Sequence, residues 1–134
     1  MQIQRKSFIL IVSLFLIITF SCAKHTTYPE SSNRVVSYSL SASNYQPFSN
    51  ITYTDADGTQ ASASAADSVS AWSKTITTTI NPFNAQMEVQ GLNNTSSEIN
   101  YTISIFVSGV IISSKQDSVA PFHNFDSQLA AEVQ

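Results

Sequence analysis

From Val35 onward, apolar and polar side chains alternate with a period of two, the pattern of strands with one face buried and one in water. "RVVSYSLSA" sets Val36, Tyr38, Leu40 and Ala42 against Val35, Ser37, Ser39 and Ser41. "NITYT" points Ile51 and Tyr53 inward, and "TQASASAAD" does the same thinly with Ala61, Ala63 and Ala65. "AWSKTITTTI" aligns Trp72, Ile76 and Ile80, with Lys74 and Thr78 on the same side. "NAQMEVQG" aligns Ala85, Met87 and Val89, and "EINYTISIFV" aligns Ile99, Tyr101, Ile103, Ile105 and Val107. "VIISSKQ" follows at once as a further strand. Seven short strands divided by turn residues predict an all-β protein, a single antiparallel immunoglobulin-like sandwich over residues 34–134. Only the tail "FDSQLAAEVQ" leaves a choice, between a helix and an eighth strand. Phe48, Trp72 and Phe83 join the Ile and Val faces in the expected core.

Two turns carry more information. Ser108-Gly109 stands between two β-branched runs, a two-residue hairpin in which glycine can take positive φ. That geometry pairs Val107 with Val110 and Ile105 with Ile112 on the core face, and Phe106 with Ile111 on the other. The second face is otherwise Thr102, Ser104 and Ser113, so Phe106 and Ile111 form an apolar pair in a polar field. They are either a local cross-strand contact or the centre of a docking surface.

"TDADGT" poses the other question, because Asp55 and Asp57 before Gly58 could begin a calcium loop. A loop of the EF-hand kind closes with a bidentate acid at its twelfth position and carries glycine at its sixth. Counted from Asp55, Ala66 stands at the twelfth and the glycine comes at the fourth. Asp57 and Gly58 suit a tight turn instead, since both tolerate left-handed backbone. The expectation is a hairpin corner with no metal.

The first residues follow another pattern. "MQIQRK" is followed by the thirteen-residue apolar run "FILIVSLFLIITF", the length of a signal-peptide hydrophobic region and short of a membrane span. The run ends at Ser21-Cys22, and Cys22 is the sole cysteine, so no disulfide can form within one chain. This junction resembles a bacterial lipobox, although Thr19 and Phe20 stand where leucine and a small residue are usual. The resemblance implies a signal segment over 1–21 and a Cys22 that carries diacylglycerol and an acylated amine (palmitate among the chains). It implies a protein lipid-anchored in the bacterial envelope, facing the periplasm. Residues 22–33, with Pro29 and His25, read as an anchored tether.

Charge excludes one class of partner. Arg5 and Lys6 hold two of the six basic residues and none of the nine acidic, so from Cys22 the balance is four against nine, a net of −5. Lys24, Arg34, Lys74 and Lys115 are scattered singly, with no basic stripe for phosphates, and no nucleic acid is expected. Catalytic motifs are missing as well. There is no Gly-x-Ser-x-Gly, HExxH or CxxC, and His123 is the one histidine beyond the tether. Neither enzyme activity nor a cofactor is expected.

"ITYTDADGT" followed by "AWSKTITT", an "AQ…V" strand and a strand ending at Gly109 resembles the MmpS family, small membrane-anchored proteins with a β-sandwich outside the membrane. The similarity covers about Val35 to Ser114. Ser108 stands where family members usually carry Asp, and the paired cysteines common in mycobacterial members are missing. The resemblance implies an accessory protein of an MmpL transporter of the resistance-nodulation-division (RND) class. An alternative is a lipid-anchored binding module for a carbohydrate, a lipid or an envelope protein.

Overall fold

The structure, a computed structural model, describes residues 32–43, 48–63 and 71–134. The expected signal segment, Cys22 and the tether up to residue 31 lie outside the described residues, as does Ala65. The described residues form eight strands: β1 (Arg34–Ala42), β2 (Phe48–Thr54), β3 (Gln60–Ser62), β4 (Ala71–Thr78), β5 (Phe83–Leu92), β6 (Ile99–Val107), β7 (Val110–Val119) and β8 (Asn124–Val133). They form two four-stranded sheets, ordered β4-β1-β6-β7 and β3-β2-β5-β8, and every pairing is antiparallel. The sandwich architecture read from the alternation is therefore present, and the ambiguous tail is the eighth strand. It pairs with β5 without a register shift from Phe83↔Val133 to Leu92↔Asn124.

The core lies between the sheets and follows the parity of the strands. Val36, Tyr38 and Leu40 from β1, Ile103 and Ile105 from β6, and Ala85, Met87 and Val89 from β5 are almost fully buried. Trp72, Ile76 and Phe83 are buried as expected. Tyr38, Tyr53 and Trp72 form a tilted aromatic series, with centroids 5.6 and 5.7 Å apart, that crosses from one sheet to the other. The Tyr38 hydroxyl donates to the Thr54 carbonyl (2.8 Å) and the Thr78 hydroxyl to the Ala56 carbonyl (2.8 Å), which fastens the sheets at one end. At Gly91 the absent side chain is itself a packing feature. A Cβ there would lie 2.5 Å from the Phe125 ring, which covers the Gly91 backbone and meets Tyr101 at 5.4 Å.

Three sequence expectations need correction. Ile80 is not a core residue: β4 ends at Thr78, and Ile80 is left exposed in the following turn. Ala42 and Val107, at strand ends, are only partly buried. The β6–β7 hairpin has a register shift between Ile105 and Phe106, so Ile105 pairs with Ser113 and not with Ile112. The supernumerary residue, Ile112, is a β-bulge in β7. Ser113 consequently falls on the core side, and Ser114 takes its expected place opposite Ser104.

Candidate functional site

One end of the sandwich gathers most of the exposed large apolar residues. The chain enters it at Arg34, the β6–β7 hairpin ends there, and so do the β2–β3 corner and the β4–β5 connection. Ser108 and Gly109 both have positive φ, 49° and 83°, which makes the hairpin a type I′ turn. The Ser108 amide donates to the Val35 carbonyl (2.8 Å), so the hairpin tip is bonded to the start of β1.

The register places Phe106 opposite both Ser37 and Ile111, on the outer face of the first sheet. Phe106 is partly buried and Ile111 is 57% exposed, and Val35 projects on the same face from β1. Away from this corner the outer face is nearly all hydroxyl. Ser37 bonds Thr75 (2.9 Å) and Ser104 bonds Ser114 (2.8 Å), each across a strand pair, so these hydroxyls satisfy one another. Thus the structure keeps the two sequence-nominated residues together, joins to them Val35, which alternation already sets on this face, and adds Val110 and Ile112, which the expected hairpin register assigned to the core face. Val110 is 66% and Ile112 41% exposed. The bulge turns Ile112 away from a core position, and Val110 lies beyond the last layer of core side chains.

The β2–β3 corner at the same end is a hydrogen-bonded turn. Gly58 has φ 83°, its amide donates to the Asp55 carbonyl (2.9 Å), and the Asp55 amide donates to the Thr59 carbonyl (2.8 Å). One Asp57 oxygen accepts from the Thr59 hydroxyl (2.7 Å) and amide (2.9 Å), and these two bonds hold the Asp57 carboxyl below its usual range. Asp55 accepts from the Ala56 amide (2.8 Å). One oxygen of each carboxylate thus accepts from the turn's own residues. Among the described residues, no three acidic, histidine or cysteine side chains cluster as metal ligands. His123 lies exposed in the β7–β8 connection, its Nδ1 2.8 Å from the Pro121 carbonyl.

A second surface was not legible from the sequence. The outer face of the β3-β2-β5-β8 sheet holds a hollow of about 500 Å³ lined by Thr52, Gln60, Gln86, Glu88, Gln128 and Ala130, together with Met87 and Leu129. Thr52, Glu88 and Gln128 form one row across three strands, and Gln86 faces Ala130 in the next. The hollow exists because alanine stands at 130 where its neighbours are long amides. None of these four strands contains Lys or Arg. The pattern "QxExQ" on β5 signals a polar exterior but not the depression, which depends on the pairing with β8.

No protein-family model matches the chain, and neither does any curated protein.

Proposed function

We propose that this chain is a non-enzymatic accessory protein of the bacterial envelope, held at a membrane through Cys22 and docking on an export transporter of the RND or MmpL class. One observation carries the reading: the apolar corner of Val35, Phe106 and Ile111 lies at the end where the chain arrives from its apolar N-terminal run. Eleven residues separate Cys22 from Arg34, a tether of ~40 Å at full extension, so an anchored chain keeps this end within that distance of the bilayer. The likeness to MmpS proteins in sequence pattern supports the choice of partner class. Replacing Cys22 with Ala should abolish lipid labelling and leave the precursor uncut. Phe106→Glu and Ile111→Lys should each fold, melt near the wild-type temperature and lose co-purification with the transporter. Retained co-purification by both folded variants would remove the docking surface.

A second reading follows from the hollow on the other sheet. Carboxamides, a hydroxyl and one carboxylate, with no basic residue on the face, suit an uncharged polyhydroxyl ligand such as a glycan segment. Ala130→Trp would fill the hollow without touching the core. Titration with neutral oligosaccharides should show heat or shift changes that this variant abolishes, and silence from the unaltered protein would end that reading.

A further inference from the structure

We infer that the tip of the β6–β7 hairpin, Val110 with Ile111 and Ile112, sits in the headgroup and upper acyl layer of the bilayer when the chain is membrane-held. This deepens the anchored reading above and rests on it for proximity. The tip differs from a one-sided protein contact in a specific way. Ile111 shares the outer face with Phe106, Val110 is opposite Val107 on the core side, and Ile112 is the extra residue of the bulge. Apolar side chains therefore leave the ribbon on both of its faces, at 66, 57 and 41% exposure. A flat partner surface would cover one face and leave the other in water, whereas an apolar liquid surrounds both.

The charge distribution agrees. From Val107 to Ser114 no side chain is ionised, and the first charges along β7 are Lys115 and Asp117, which pair with each other at 3.7 Å. Exposed acids at this end, Asp57 and Glu132, belong to the other sheet, so the first sheet's edge can dip while the second stays in water. Val107 and Val110 still pair at the tip, but β7 is the sheet's edge strand and Ile112 its bulge, so the unpaired backbone groups of β7 hold the tip at the depth where headgroups and water can satisfy them. The occupant is also set by what precedes the fold. Thirty-one residues come before Ser32, including the apolar run Phe8–Phe20, and β1, the strand they lead into, is bonded to the tip through Val35 and Ser108. A depth of about 5–10 Å, typical of interfacial segments, is within the reach of three side chains at a hairpin end. Outer-face residues Phe106 and Val35 then lie at the lipid boundary, facing sideways toward an integral partner.

The test uses the full-length protein in vesicles of phosphatidylethanolamine and phosphatidylglycerol. Lipidation consumes the Cys22 thiol, so Val110→Cys and, separately, Ser118→Cys each provide a single thiol for a nitroxide label at opposite ends of β7. The expected result is an oxygen-accessible, nickel-shielded label at 110 and the reverse at 118, with the 110 signature lost when Ile111 and Ile112 are both changed to Asp. Equal water exposure at 110 and 118 on vesicle-bound, lipidated protein overturns the inference and leaves the anchor standing. Mass spectrometry of the N-terminus reads the anchor separately. If Cys22 is found unmodified, the same labels on a Cys22→Ser chain held by Phe8–Phe20 still report the tip: a shielded 110 sustains the inference without the lipid, and a wet one contradicts it. A chain that does not bind vesicles at all contradicts both.

Discussion

The buried hydroxyl of Tyr38 donates a 2.8 Å hydrogen bond to the carbonyl of Thr54, joining the centre of one sheet to the end of a strand in the other. The contact sits directly beneath the β2–β3 corner, so it couples core packing to the geometry of the end that carries the apolar corner.

Burial, opposed by the bond to Thr54, raises the Tyr38 pKa above the ordinary value for tyrosine, with Asp55 and Tyr53 adding to the rise. A group whose folded pKa is raised contributes stability that is complete below the unfolded pKa, about 10, and is lost as pH climbs from there toward the folded value. Chemical denaturation in that alkaline window should therefore show a steep loss of stability. Tyr38→Phe should cost about 1–3 kcal/mol at neutral pH, since it removes the bond and leaves a buried carbonyl, and it should flatten the alkaline limb. A variant with an unchanged alkaline slope would show that another group titrates.

Asp57 behaves in the opposite sense. Its carboxyl is held down by the Thr59 hydroxyl and amide, so its contribution is present above the unfolded pKa and disappears as pH falls through the lowered folded value. Asp57→Asn should make the acid side of the stability profile shallower while the hairpin survives. The same turn predicts that the melting temperature is equal in millimolar calcium and in excess chelator. A calcium-dependent rise of several degrees, abolished by changing both Asp55 and Asp57, would assign the corner to a metal instead.

Ser108 occupies left-handed backbone, φ 49°, in a turn where Asn or Asp is better accommodated. Ser108→Asn should stabilise the domain by about 0.5–1 kcal/mol, and Gly109→Ala should destabilise it by about 1 kcal/mol despite the open space around that position. Denaturant midpoints at constant slope decide both.

Asn93 is fully buried and holds the opposite end of the sandwich together. Its amide donates to the carbonyls of Ser97 (2.8 Å), Val119 (3.1 Å) and Ala120 (3.1 Å), and its oxygen accepts from the Thr95 amide (2.9 Å) and hydroxyl (2.8 Å). Asn93→Ala strands several of these groups at once and should cost about 3 kcal/mol or more. A loss under 1 kcal/mol by equilibrium denaturation would mean water replaces the side chain without penalty.

These residues also mark where sequence reading succeeds and stops. Period-two alternation was enough for the two layers, because Val36, Tyr38 and Leu40 or Ala85, Met87 and Val89 must share a face whatever their partners are. It could not decide β8, since "SQLAAEV" satisfies a helical and an extended pattern equally and only pairing with β5 selects the strand. It also overran Thr78 and misplaced Ile80 and Ile112, for which the deciding facts are a strand end and a bulge. Of the candidate site, Phe106 and Ile111 were legible because a two-residue turn fixes the nearest pairs. The hollow at Ala130 and the role of Asn93 were not, since both depend on contacts between elements far apart in sequence.

The central claim, that the Phe106–Ile111 face meets an integral membrane partner, is tested most directly by photo-crosslinking in intact membranes. A photoreactive side chain at Phe106 should yield one dominant adduct, a transporter-sized membrane protein identified by mass spectrometry, while the same group at Gln128, on the opposite sheet, yields none of it. Adducts from Gln128 with that protein and none from Phe106 would contradict the account and move the interface to the other face.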